Sequence, residues 1–139
     1  MSMERILEAV RAFDGVLVFV ARPGDGTPEL AWGDAFMYHA PDGVMPTTEQ
    51  PYGTIVTKDY PGDESSRLGG GRYRVNIHVG RDRAEQLVSE GDTDVFLPHP
   101  LYARQGWVSI VNPQSRVDEA IELLAEAHEA SRRRHERRA

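Results

Sequence analysis

The sequence predicts an α+β domain in which the terminal helices pack on one face of a mainly antiparallel sheet of about five strands. Three observations predict it. Helical and strand periodicities follow one another in the order helix, four strands, helix, strand, helix. Apolar and polar residues alternate without interruption over residues 72–79, as in a strand with one buried face. No linker or internal repeat divides the 139 residues, so we expect one domain over 1–139, with a basic tail at 131–139 that can fray.

Each element is predicted from the spacing of its apolar residues and from the turn residues at its ends. Ser115 and Asp118 have the spacing of a capping box at the start of the last helix. The loops at 40–51 and 61–71 are long, and loops of such length are often functional. The predicted helices are 3–13, 81–89 and the segment after Ser115, and the predicted strands are 16–20, 30–39, 53–60, 72–79 and 106–111.

Composition sets limits on function. Sixteen Lys and Arg residues against 22 Asp and Glu residues give a net charge of −6. The absence of cysteine excludes disulfides, thiolate nucleophiles and iron–sulfur clusters. No phosphate-binding loop, no HExxH and no GxSxG sequence is present, which counts against nucleotide hydrolysis, zinc peptidase chemistry and serine hydrolysis. With no transmembrane segment or apolar signal-peptide core in the sequence, we expect a soluble, cytoplasmic protein without membrane attachment.

The candidate site is the polar side of the strand at 72–79. Arg72, Arg74, Asn76 and His78 occupy alternate positions, and guanidinium groups beside an amide and an imidazole can hold an anionic or polar ligand. The alternative interpretation is a solvated face whose arginines pair with acids. Small residues in strand 30–39 would let a ligand or another segment approach closely.

We therefore predict a non-enzymatic binding or accessory domain with a polar pocket on the open sheet face. Its ligand is a small anionic or polar molecule, and no cofactor, metal ligand or catalytic residue is assigned. The predicted ligand-binding residues are Trp32, Asp59, Tyr60, Arg74, Asn76 and His78.

Two chemical alternatives stay open. An enzyme would use His78 or His99 as an acid–base partner of Asp59 or Asp34, which requires the groups to meet in one cleft. A metal site would bring His39 together with the same histidines, although their spacing is not typical of metal ligands.

Partners can also be judged from charge. Residues 131–139 hold five arginines and one glutamate, a charge of +4, which leaves −10 on the remaining chain. The acidic body argues against nucleic acid, while the arginine-rich tail keeps a weak contact with a phosphate backbone open as an alternative function. A homodimer through an exposed edge strand or through the aromatic loop at 97–107 is also compatible with the sequence.

Four segments carry a resemblance to known proteins. The sequences AWGDAFMY, TIVTKDYPG, RVNIHVGR and LPHPLYARQGWVSIVNP, at 31–38, 54–62, 74–81 and 97–113, are similar to those of an uncharacterised group of small bacterial proteins. Residues 102–111, followed by a long helix, more distantly resemble the C-terminal half of the MmcQ/YjbR-like proteins. The resemblance implies a curved antiparallel sheet with packed helices and implies no activity.

Overall fold

The structure is a computed structural model and describes residues 2–138. Three α-helices and six strands are found in this part of the chain. The helices are α1 (Ser2–Arg11), α2 (Arg81–Leu87) and α3 (Val117–Arg138). The strands are β1 (Val16–Val20), β2 (Ala35–His39), β3 (Gly53–Val56), β4 (Arg74–His78), β5 (Phe96–Pro98) and β6 (Trp107–Val111).

The six strands form one sheet in the order β1-β2-β3-β4-β6-β5, and every neighbouring pair is antiparallel. The order departs from the chain only at its end, where β6 inserts between β4 and β5. The strands β1 and β5 are therefore the two edges, and β2, β3, β4 and β6 have partners on both sides.

One face of the sheet is covered by the terminal helices. Val75 and Ile77 of β4 lie in one apolar cluster with Ile6 and Val10 of α1 and with Leu124 of α3, and all five side chains are fully buried. Removing this apolar surface from water is the main stabilising contribution to the fold. The predicted α+β class and the placement of the terminal helices are confirmed.

Gly53 of β3 lets α3 approach the sheet. A Cβ atom at this position would lie 2.6 Å from Cδ2 of Leu124 and 3.1 Å from the sulfur of Met37, both shorter than an ordinary van der Waals contact. The small residue on the strand therefore sets how closely the helix and the sheet can pack.

The predicted strand count is slightly too low, because β5 was missed. Its three residues are too few for a periodicity to show, and its last residue is Pro98, which is tolerated because β5 is an edge strand. The predicted strand 30–39 begins only at Ala35: residues Glu29–Ala31 form a turn of 3₁₀ helix, and Gly33 has a φ of +89°.

The predicted capping box is replaced by a cap from elsewhere in the chain. Asp94, which precedes β5, accepts hydrogen bonds from the backbone N–H groups of Gln114, Ser115 and Arg116 and from the Ser115 hydroxyl. These are donors that the start of a helix leaves without partners. Asp94 therefore joins the β5 edge of the sheet to the start of α3.

None of the helices within residues 2–138 combines the length and the apolar character that crossing a bilayer requires.

Candidate functional site

A cleft of about 560 Å³ opens on the face of the sheet that the terminal helices leave uncovered. Side chains of β2, β3, β4 and β6 form its floor. Its walls come from the segment between β3 and β4 and from the segment between β5 and β6. The floor residues are Phe36, Tyr38, Thr54, Val56, Arg74, Asn76 and Trp107, and the wall residues include Tyr60, Pro61, Asp63, His99, Leu101 and Tyr102.

Arg74 is on this face, as the alternation predicts, but it is not open to solvent. Its guanidinium donates to both carboxylate oxygens of Asp63, at 2.9 and 2.6 Å, and to the hydroxyl of Ser66. The side chains of Arg74 and Asp63 are 3% and 8% exposed. Hydrogen bonds from Arg74 hold the pKa of Asp63 below its usual value, so the pair is ionised and electrically neutral as a unit.

Asn76 connects three strands beneath the cleft. Its Oδ1 accepts from Nε of Arg74 at 2.8 Å and from the hydroxyl of Ser109 at 2.7 Å, and its Nδ2 donates to Thr54 at 2.9 Å. Because these bonds occupy both ends of the amide, Asn76 positions its neighbours and forms a polar floor.

Tyr60 enters the cleft from the loop after β3 and is held by Asp34. The Tyr60 hydroxyl donates to one carboxylate oxygen of Asp34, while Thr57 donates to the other through its backbone N–H and its hydroxyl, at 2.8 and 2.7 Å. Asp34 is fully buried. Burial, and next the hydrogen bond to Asp34, raise the pKa of Tyr60, so the phenol stays protonated at neutral pH.

The hydrogen bonds of His99 determine which of its ring nitrogens carries the proton. Its Nδ1 accepts hydrogen bonds from the backbone N–H groups of Leu101 and Tyr102, at 3.0 and 3.1 Å. Burial, and next the charge of Arg74, lower the pKa of His99 to about 4. The ring is therefore neutral near pH 7, and with Nδ1 accepting, its one proton is on Nε2.

The other three residues predicted for the site do not line this cleft. Trp32 donates from its indole to the backbone carbonyl of Thr27, and the carboxylate of Asp59 accepts from the backbone N–H of Leu68, so both hold loops in place. His78 lines a neighbouring cleft and donates from Nε2 to the carbonyl of Gln105 at 2.9 Å. The cleft thus contains Tyr60, Arg74 and Asn76 of the six predicted residues.

The groups of the enzymatic alternative are held by separate partners. His78 bonds to Gln105 and His99 to the loop backbone, whereas Asp34 accepts from Thr57 and Tyr60. His39 lies on the helix-covered side of the sheet, where its ring contacts those of His128 and His135. Within residues 2–138, no group of three or more histidine or acidic side chains is arranged to hold a metal ion.

The arginine-rich tail is helical as far as Arg138. Arg132 pairs with Glu129 and Glu136 on the same helix, and Arg133 also lies 3.5 Å from Glu129. Arg132 and Arg133 are thereby balanced by acids, which reduces the positive charge available to a nucleic acid.

Sequence reasoning missed Asp63 and Phe36. It considered His99 as an acid–base or metal group, or as a loop residue that hydrogen-bonds to the backbone, and only the backbone bonds are found. The spacing of Phe36 and Tyr38 placed them on one side of strand 30–39, but nothing in the pattern showed that this side faces a cleft. The Asp63 contact links residues 11 positions apart through a loop, so no periodicity reports it.

Comparison with known proteins gives one result at the level of the family. No curated protein and no solved structure matches the chain, and nothing links it to the MmcQ/YjbR-like proteins. A family of unknown function matches residues 1–139, which is the entire sequence. The chain therefore belongs to the DUF6194 family of proteins of unknown function.

Proposed function

We propose that the protein is a non-enzymatic binding domain whose sheet-face cleft takes a small, flat, uncharged ring that carries a hydrogen-bond acceptor. The observation that supports it most is His99. With Nδ1 bonded to two backbone N–H groups, the neutral ring offers only an N–H donor, at Nε2. Such a donor recognises a carbonyl or a ring nitrogen.

The lining favours a flat ligand. Phe36, Tyr38, Tyr60, Tyr102 and Trp107 all line the cleft, and aromatic faces bury ring systems with favourable stacking geometry. Clefts that combine apolar walls with a few oriented polar groups are typical of small-molecule sites.

Charge favours an uncharged ring in this part of the site. Arg74 was expected to attract an anion, but Asp63 already occupies its guanidinium in a two-point pair. An anion above this pair would face the Asp63 carboxylate as well as Arg74, so the net attraction is small. For this cleft we therefore keep the prediction of a polar ligand and do not keep the prediction of an anionic one.

Binding without catalysis is favoured by the state of the titratable groups. His99 is neutral near pH 7 and Tyr60 is protonated, while Asp34 and Asp63 are each occupied by hydrogen bonds. General acid–base catalysis needs a group whose pKa lies near the working pH. The resemblance to MmcQ/YjbR-like proteins remains a prediction and adds no ligand chemistry.

The test uses a methoxycoumarin, an uncharged fluorescent ring system with a carbonyl acceptor, titrated against the full chain. We expect saturable binding, measured by calorimetry and by energy transfer from tryptophan. The variant His99→Asn places an amide oxygen near the position of Nδ1, which preserves the acceptor for the loop, but removes the Nε2 donor. We expect it to weaken binding about tenfold, the effect of losing one hydrogen bond in a buried site.

The matched control is His135→Asn, which makes the same change on α3, away from the lining of this cleft. It should leave the affinity unchanged. Failure of the methoxycoumarin to bind, or equal affinity of the His99→Asn variant and the unmodified chain, would contradict the proposed function.

A further inference from the structure

A second cleft, of about 630 Å³, adjoins the first near the C-terminal end of α3. The two share four lining residues, Gln50, Pro51, Tyr102 and Trp107. The two clefts therefore lie next to each other along these residues. The second cleft also contains His78 from the end of β4 and Arg134 from α3.

Arg134 carries a positive charge that its own helix does not balance. The residues one turn away along α3 in the sequence are Ala130, Ser131, Arg137 and Arg138, none of which is acidic. Among the described residues, no carboxylate is within ion-pair distance of Arg134, whereas Arg132 and Arg133 are both paired. Arg134 is partly buried, so its charge is only partly screened by water.

His78 is a second group in this cleft that can become positively charged. Its Nε2 donates to Gln105, so the other ring nitrogen, Nδ1, is unprotonated while the ring is neutral. His78 and Arg134 line the same cleft. Burial lowers the pKa of His78, the hydrogen bond to Gln105 acts to raise it, and the charge of Arg134 lowers it. A negative charge between them would favour proton uptake at Nδ1.

One acid also lines this cleft. The carboxylate of Glu49 lies 3.8 Å from Nδ1 of His135, and its side chain is 21% exposed. Glu49 therefore lies beside His135 and is not within ion-pair distance of Arg134.

We infer that the ligand of the sheet-face cleft carries an anionic arm, a carboxylate or a phosphate, that lies beside Arg134 and His78 in the adjoining cleft. The inference rests on the proposed function, since the ring occupies the first cleft. The whole ligand is then a flat, acceptor-bearing ring joined to a short acidic chain. Arg134 binds the arm by charge-assisted hydrogen bonds.

The test compares the methoxycoumarin with its acetate derivative, which has the same ring and a carboxylate arm. For the unmodified chain we expect the acetate to bind about tenfold more tightly, the gain from one charge-assisted hydrogen bond at a partly exposed site. Arg134→Gln should remove this gain and leave the affinity for the uncharged probe unchanged. The matched control, Arg137→Gln, changes the net charge equally on an exposed position of the same helix and should keep the gain.

Proton NMR gives a second measurement. Saturation with the acetate should raise the pKa of His78, and saturation with the uncharged probe should not. Equal affinities for the two probes, or an acetate preference that survives Arg134→Gln, would overturn the inference while the proposed function stands. Failure of both probes to bind overturns both.

Discussion

Arg74 in the middle of the sheet and Asp63 in the loop above it form a two-point ion pair in which both side chains are almost fully buried. The pair links the segment between β3 and β4 to the polar face of the sheet. It thereby forms one wall of the cleft. It also neutralises the Arg74 guanidinium, which the sequence predicted to bind a ligand.

Replacing Asp63 by Asn should strongly destabilise the protein. The change leaves the buried guanidinium without a counter-charge, and breaking one side of a buried pair costs about 3–5 kcal/mol. Urea unfolding measures the loss. As a control, Asp92→Asn affects an exposed pair with Arg72 and should cost less than about 1 kcal/mol. Equal losses of unfolding free energy for the two variants would show that the buried pair stabilises the protein no more than the exposed pair does.

Gly106→Ala should destabilise the protein more than Gly71→Ala. Both glycines have a left-handed backbone, with φ of +90° and +93°, so the conformational cost of a side chain is about 1–2 kcal/mol in each. A Cβ at Gly106 would also lie 2.6 Å from the backbone carbon of Gly80, whereas a Cβ at Gly71 meets nothing within 4 Å. Thermal unfolding should show a clearly lower Tm for Gly106→Ala. Similar Tm values would contradict the predicted steric overlap.

Asp94→Ala should weaken the start of α3. The change removes the acceptors of four hydrogen bonds, and loss of a helix cap costs about 0.5–2 kcal/mol. Asp94 also has a φ of +57°, which alanine tolerates poorly. Asp42→Ala, in the exposed loop at 40–51, is the control and should be nearly neutral. Unfolding free energies that do not separate the two variants would argue against this cap.

Asp94 also makes stability depend on acid pH. Burial acts to raise the pKa of Asp94, but hydrogen bonds from Gln114, Ser115 and Arg116 together lower it to about 2. Because the pKa is lower in the folded state, its contribution is present above about pH 4 and is lost as the pH falls towards 2. Urea unfolding between these limits should show a shallower pH dependence for Asp94→Asn than for the unmodified chain. An unchanged slope would contradict the assignment.

His99 should make the protein less stable in mild acid. Its pKa falls from about 6.5 in the unfolded chain to about 4 in the folded one, so the unfolded chain binds the proton first. The stability contributed by the neutral ring is complete above about pH 6.5 and is lost as the pH falls towards 4. His99→Asn should remove part of this decline in urea unfolding. His135→Asn, at an exposed position, should retain it.

The sequence predicted the face of each β4 side chain because successive side chains of a strand point to opposite faces of the sheet. Val75 and Ile77 lie in the core, and Arg74 and Asn76 lie on the opposite face, as expected. The alternation could not show that Arg74 is buried as well. A polar residue on a strand indicates a face away from the apolar core, and it gives no information about a loop that later folds over that face.

Part of the lining of the cleft could be predicted for the same reason. Arg74 and Asn76 belong to the cleft because they lie on the same face of β4, and Tyr60 reaches it from the loop after β3. The position of His99 depends on hydrogen bonds within its own loop, to Leu101 and Tyr102. Loop conformation is set by such local contacts rather than by any periodic pattern, so sequence reasoning could name the residue without placing it.

The hydrogen bonds that Asn76 donates to Thr54 and accepts from Ser109 run across β3, β4 and β6. If β4 slid by one residue, each of its side chains would turn to the other face, and Arg74 would enter the apolar side while Val75 left it. The guanidinium would then be buried without a partner, at a cost that a domain of this size cannot absorb. The hydrogen bonds of Asn76 beneath the cleft thus select one strand alignment from those that apolar packing alone would permit.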